Sequence, residues 1–261
     1  MKKLLIIVPL ALVALIAVAI VVMYFAIGRG GVLSILSTLR FRTHMMQPEV
    51  YEDPSGLTLP YRVYVPDNLA DGEQVPVVLF LQGGGHRGTD NRQQTNAFGV
   101  MHVLLSRKNR AKYPCILVAP QMPLDGDWDD EGLRRLHMGM LEQVAAKYPT
   151  DPARVYVTGL SLGGGGTWAM LTAYPEYFTA GVPICGWWTV EDAPLLKDIP
   201  IWIFHGENDY PKNARAMFAA LEQAGSAQAK YTEYPKEGHW SWGRAYYDPA
   251  LYEWMFAQAK Q

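Results

Sequence analysis

Only two cysteines occur in this chain, and there is no basic cluster, internal repeat or low-complexity tract. Each absence argues against a class of function. With 23 basic against 25 acidic residues and no basic stripe, no nucleic-acid partner is expected. Cys115 begins one apolar run and Cys185 ends another, positions that fall at opposite edges of a parallel sheet. A disulfide between them is not expected, and both read as free, buried small hydrophobes. No His or Cys pair has ligand spacing, so no metal is expected. The glycine triplet Gly83-Gly84-Gly85 lacks the Lys-Ser/Thr ending of a phosphate-binding loop.

A long hydrophobic run is present once. Met1-Lys2-Lys3 precedes an apolar stretch over residues 4–27, broken by Pro9 and closed by Gly28-Arg29-Gly30. Its length favours an uncleaved signal anchor, a transmembrane helix over residues 1–28, rather than a cleaved signal peptide. Cleavage near Ala17 and Ala19, or at Ala26 and Gly28, is the alternative, and would give a secreted protein. Either way the following domain is expected outside the cytoplasm, although Arg29, Arg40 and Arg42 oppose the orientation that Lys2 and Lys3 favour. Residues 29–47 read as a juxtamembrane linker with a short helix over 32–39, and residues 48–261 as one folded domain.

Within that domain, residues 50–52 and 59–65 read as a hairpin around Asp53-Pro54-Ser55-Gly56. Continuous apolar runs at 76–81, 115–119, 155–158, 180–184 and 201–205 have the composition of strands buried on both faces. Helical stretches fall between them at 98–108, 132–148, 162–173 and 213–224, followed by a last strand at 229–234 and a helix at 249–257. This alternation predicts an α/β fold: a mostly parallel central sheet with helices on both faces. The interval between residues 184 and 201 is too short for a large cap domain, so an open site is expected.

In such a sheet, chemistry collects beyond the carboxyl ends of the strands. Gly159-Leu160-Ser161-Leu162-Gly163 sits where one strand should break into a helix, a turn that exposes the serine hydroxyl. A side chain at 159 or 163 would collide with the adjoining strand or helix. Glu207-Asn208-Asp209 follows the 201–205 strand, and His239 follows the 229–234 strand. Serine, acid and histidine thus occur in the order this architecture uses. A serine needs a base in hydrogen-bond reach, and that base needs a carboxylate to fix its tautomer. Asp209 is the expected carboxylate, with Glu207 in reserve. Acyl transfer also needs donors for a tetrahedral oxyanion, and the backbone N–H groups of Leu162 and Gly84 are the expected pair, with Gly85 next in line. His86 adjoins that loop and is placed to touch substrate, whereas His205 reads as structural. Eight Trp and 15 Tyr fall largely near loop ends, and Trp128, Trp187, Trp188 and Trp240 suggest an aryl- or sugar-bearing substrate, or else packing.

These residues resemble the α/β-hydrolase superfamily, and more narrowly the bacterial peptidases and esterases related to polyhydroxybutyrate depolymerases and feruloyl esterases. The resemblance is carried by Leu59-Pro60-Tyr61-Arg62-Val63-Tyr64-Val65-Pro66, by Leu81 through Asn91, and by Val118-Ala119-Pro120-Gln121. It continues through Asp151 to Gly164 and in Phe204-His205-Gly206-Glu207-Asn208-Asp209. It implies Ser161, Asp209 and His239 as a catalytic triad, Gly84 and Leu162 as the oxyanion hole, Trp128 as a substrate-lining aromatic, and no cofactor. It further implies a serine esterase acting on a small-molecule or polymer-end ester, with a peptidase or a non-catalytic binding protein as alternatives. One departure stands out: the family usually has histidine before the first glycine, where this chain has Gln82, so the geometry of that loop is in question.

Overall fold

The computed structural model describes residues 10–38, 43–96 and 99–260. The first element, α1 (Leu10–Thr38), is interrupted at Gly28, whose φ of 71° and ψ of 177° are not helical. No helix among the described residues is long and apolar enough to cross a membrane. The expected transmembrane helix is therefore not found among the described residues. The part of the apolar run that is described, before the Gly28 break, rises only about 27 Å, short of the roughly 30 Å hydrocarbon core. The start of that run lies outside the described residues. Beyond the break α1 continues to Thr38, taking in most of the short helix expected over 32–39 within the linker, and α1 packs against the helix and turn that follow the last strand.

Eight strands form one sheet. β1 (Gln47–Glu52) and β2 (Thr58–Tyr64) make the expected antiparallel hairpin, with Tyr51 opposite Leu59. Asp53 closes the turn by accepting from the Ser55 and Leu57 N–H groups. The other strands are β3 (Val75–Leu81), β4 (Ile116–Pro120), β5 (Thr150–Leu160), β6 (Ala180–Ile184), β7 (Ile201–Gly206) and β8 (Ala229–Tyr234). Their spatial order is β1-β2-β4-β3-β5-β6-β7-β8, and all pairs from β4 onward are parallel. Every residue of β3, β4 and β6 is buried, which is why those strands read as unbroken apolar runs.

Helices cover both faces. In chain order they are α2 (Val100–Leu104), α3 (Arg107–Lys112), α4 (Glu131–Lys147), α5 (Leu162–Ala173), α6 (Ala193–Leu196), α7 (Lys212–Gln223), α8 (Trp242–Tyr247) and α9 (Pro249–Phe256). Alternation along β3 sorts the core into two layers. Val77, Leu79 and Leu81 join Met140 of α4, Trp168 of α5 and Met217 of α7. Val78 and Phe80 join Met101 of α2, Tyr246 of α8 and Met255 of α9. Each such aliphatic side chain contributes about 1.5–3 kcal/mol by leaving water. One expected helix, 98–108, is instead two, because Ser106 caps the second by accepting from the Asn109 N–H; residues 97–98, where it was to begin, lie outside the described residues. No large cap intervenes between β6 and β7, only α6 and a 3-10 turn.

Candidate active site

Ser161 stands between β5 and α5 with φ 56° and ψ −119°, a conformation that costs a non-glycine residue about 1–3 kcal/mol. Neighbouring bonds hold it there: Ser161 N–H donates to Ile184 O at 2.8 Å, and Ser161 O accepts from Gly164 N–H at 2.8 Å. The flanking glycines permit the turn. A Cβ at Gly159 would lie 2.1 Å from Gly163 O, and one at Gly163 would lie 2.0 Å from Leu81 O. Strand and helix backbones are therefore in direct contact beneath the hydroxyl.

Three distant segments meet at that hydroxyl. Ser161 Oγ lies 2.8 Å from His239 Nε2, and His239 Nδ1 lies 2.7 Å from Asp209 Oδ2. Glu207, the reserve acid, instead accepts from the Lys236 N–H on the exposed side of the loop. His239 occupies a 3-10 turn, His239–Ser241, that is tied from behind: the Cys185 thiol donates to His239 O at 3.3 Å and lies 2.7 Å from Ser241 Oγ. Asn208 N–H donates to Glu237 O at 2.8 Å, joining the acid loop to the histidine loop.

Asp209 has a second histidine that the sequence reading left as merely structural. His205 Nε2 donates to Asp209 O at 2.9 Å and lies 3.3 Å from its carboxylate. Partial burial pushes the Asp209 carboxyl up, but hydrogen bonds from His205 and His239 outweigh it and hold the group down at about 2. It is ionised throughout the neutral range. The signal available in the sequence was the four-residue spacing from His205, at the end of β7, to Asp209.

On the opposite side of Ser161, the loop after β3 forms a 3-10 turn, Gly84–His86. A Cβ on Gly84 would stand 3.7 Å from the Leu162 side chain, so the two expected donor residues are neighbours. Leu162 is the first residue of α5, and its N–H has no acceptor within the helix. Gln82 takes the place of the family's histidine and braces the loop: its Nε2 donates to His86 O at 2.6 Å, and its carbonyl accepts from Trp128 Nε1 at 3.1 Å. The loop geometry placed in question by that departure is therefore maintained by an amide.

Of the residues expected to line the substrate cleft, Trp240 is exposed beside His239. It borders a cleft of about 730 Å³ that Tyr24, Phe25 and Arg244 also line. His86 is half-buried, and its burial lowers its pKa. Trp128 is a correction. It is 1% exposed, lies under α5 against the Gly166 position and beside His137, and packs in the core instead of facing a substrate.

A possible ligand cluster also went unseen in the sequence. Among the described residues, Cys185, Asp209 and His239 bring ligand atoms within 4.8 Å of one another. Burial pushes the Cys185 thiol up to about 12. A metal would have to strip that proton and break the Asp209–His239 bond, so the trio serves better as a hydrogen-bonded support than as a metal centre.

Comparison with known proteins finds esterases. The chain is 28% identical over 141 residues to acetylxylan esterase A of Emericella nidulans, covering 48% of this chain and 41% of the relative. It is 30% identical over 127 residues to feruloyl esterase B of Neurospora crassa, covering 47% and 42%. The chain thus spans less than half the length of these curated relatives. A solved thermostable esterase is 32% identical with a TM-score of 0.79, the match covering 84% of this chain and 64% of that one. The Esterase family model matches residues 56–239, more than half of the sequence and every segment of the site. By that match and by its α/β-hydrolase fold, the chain belongs to the Esterase family.

Proposed function

We propose that this chain hydrolyses carboxylic esters through an acyl-enzyme, with Ser161, His239 and Asp209 as its triad. One observation carries the reading: the unbroken bond series from Asp209 Oδ2 through both nitrogens of His239 to the Ser161 hydroxyl. His239 takes the proton as Ser161 Oγ attacks the ester carbonyl. Asp209, held ionised, keeps Nδ1 as the donor and balances the imidazolium that forms. Charge then develops on the carbonyl oxygen, where the N–H groups of Leu162 and Gly84 receive it. The intermediate collapses as His239 returns the proton to the departing alcohol, leaving Ser161 acylated. Water then attacks the acyl carbon as His239 takes its proton; the second tetrahedral intermediate collapses, the bond from Ser161 Oγ to the acyl carbon breaks, His239 returns the proton to Oγ, and the acid leaves. No step calls for a cofactor.

The relatives' names point to acetylated xylan and to feruloyl esters as their substrates; for this chain they support a small-molecule or polymer-end ester. A fluorophosphonate probe should label the wild type and not Ser161→Ala. Equal labelling of both would remove the assignment. Turnover on matched ester and amide substrates separates esterase from peptidase, with the ester expected to be strongly preferred.

A further inference from the structure

Arg87 follows the 3-10 turn of the donor loop and is partly buried. Its Nη1 lies 3.9 Å from where a Cβ on Gly84 would stand, beside the Leu162 side chain. The guanidinium therefore lies on the side-chain face of Gly84, next to the expected oxyanion hole and not in line with the Gly84 N–H. Its Nε is shut away from solvent and has no hydrogen-bond acceptor. Among the described residues no carboxylate lies within 4.0 Å of it. Asp90, the acid of the same loop, is taken up by Gln121 Nε2 and by the N–H groups of Arg92 and Gln93.

An arginine whose task is to brace a loop looks different, and the same region contains one. Arg62 donates from Nε to Asn91 O at 2.5 Å and from Nη1 to Met46 O at 3.1 Å. Among the described residues Arg87 makes no such bonds. A side chain that never loses its charge is thus held at the edge of the reaction site with its donors uncommitted. The enclosed Nε is out of a substrate's reach, so the Nη groups of this half-buried side chain are the donors that would meet an acceptor arriving with the substrate, and the planar face of a guanidinium matches a carboxylate.

We propose that Arg87 is the anchor of a subsite for an anionic group, a carboxylate carried by the ester substrate close to its scissile carbonyl. This rests on the hydrolase reading above and names the substrate class for that site. The subsite would select half-esters of dicarboxylic acids, or esters of acidic sugars and hydroxy acids, over neutral esters of equal length.

The test compares kcat/KM for monoethyl succinate and ethyl butyrate, followed by pH-stat titration, in the wild type and in Arg87→Met and Arg87→Lys. Comparing the anionic-to-neutral ratio between proteins cancels the intrinsic reactivity of the two esters. Arg87→Met should lower that ratio about 10- to 100-fold, the loss expected for one hydrogen-bonded charge pair, and Arg87→Lys should recover part of it. An unchanged ratio, or equal losses on both esters, would overturn the subsite. Should Arg87→Met fail to fold, the wild type still decides. Raising salt from about 50 to about 500 mM should raise KM for the anionic ester selectively, and parallel behaviour of both esters would refute the proposal. Hydrolysis of neither ester by the wild type would instead remove the hydrolase reading beneath it.

Discussion

Alanine at position 165 should stabilise this protein, while alanine two residues earlier should ruin it. Both glycines lie in the first turn of α5, and intrinsic propensity favours alanine at each by about 0.5–1 kcal/mol. Their surroundings differ. A Cβ at Gly165 would meet only Trp187 O, at 3.5 Å, an ordinary contact. A Cβ at Gly163 would lie 2.0 Å from Leu81 O, 2.5 Å from Leu81 C and 2.6 Å from Gln82 O. Those are backbone atoms of β3 and the donor loop, which cannot rotate aside, so the helix must shift by more than about 1 Å. Overpacking of this kind costs about 3 kcal/mol or more and cancels the propensity gain several times over. Gly165→Ala should therefore raise Tm by about 1–4 °C, given the size of the domain, with ester turnover kept. Gly163→Ala should lower the urea midpoint sharply and abolish turnover, because it moves the Leu162 N–H away from Gly84. Thermal and urea unfolding with a p-nitrophenyl acetate assay read both effects. Destabilisation of Gly165→Ala by more than about 1 kcal/mol, or wild-type stability in Gly163→Ala, would refute the packing described here.

Two further substitutions test the site and its support. Asp209→Asn should lower kcat about 10³- to 10⁴-fold with little change in KM, since orientation and charge balance matter mainly in the transition state; a loss confined to KM would contradict that role. His137 is fully buried beside Trp128, and burial lowers its pKa to about 4. A histidine with a folded pKa below its unfolded value of 6.5 stays neutral in the fold but is protonated in the unfolded chain, so stability falls as pH drops from about 6.5 to about 4. The loss by about pH 4.5 should be roughly 2–3 kcal/mol, and His137→Phe should lack it in urea titrations at pH 7 and 4.5. Identical pH slopes in the two proteins would exclude His137 as the cause. Asp209 acts in a separate window: its lowered pKa contributes stability above about 4 that is lost as pH falls toward 2.

Much of this arrangement was legible because burial on both faces leaves an unmistakable record. The runs at β3, β4, β6 and β7 carry no polar residue before their ends, and the Gly-X-Ser-X-Gly turn and order of acid and histidine follow from them. Edges were harder to read. β5 begins at Thr150, where Asp151-Pro152-Ala153-Arg154 lacks a strand pattern because Pro152 is exposed and the other three are only partly buried. α6 and α8 are too short for a 3.6-residue period to emerge. Trp128 was misplaced because a tryptophan after a loop has the same letters whether it faces the cleft or the core. What decides is its bond to Gln82 O and the room left by Gly166, both long-range facts. The role of Cys185 behind His239 is illegible for the same reason, since His239 and Ser241 come from another loop, whereas His205 stands only four residues before Asp209, a spacing the sequence does show.

Because Asp209 is gripped from two directions, its position does not depend on the residue it serves. His205 holds Asp209 by its backbone carbonyl and stands beside its carboxylate, so the acid is aimed at His239 by contacts that do not pass through the imidazole.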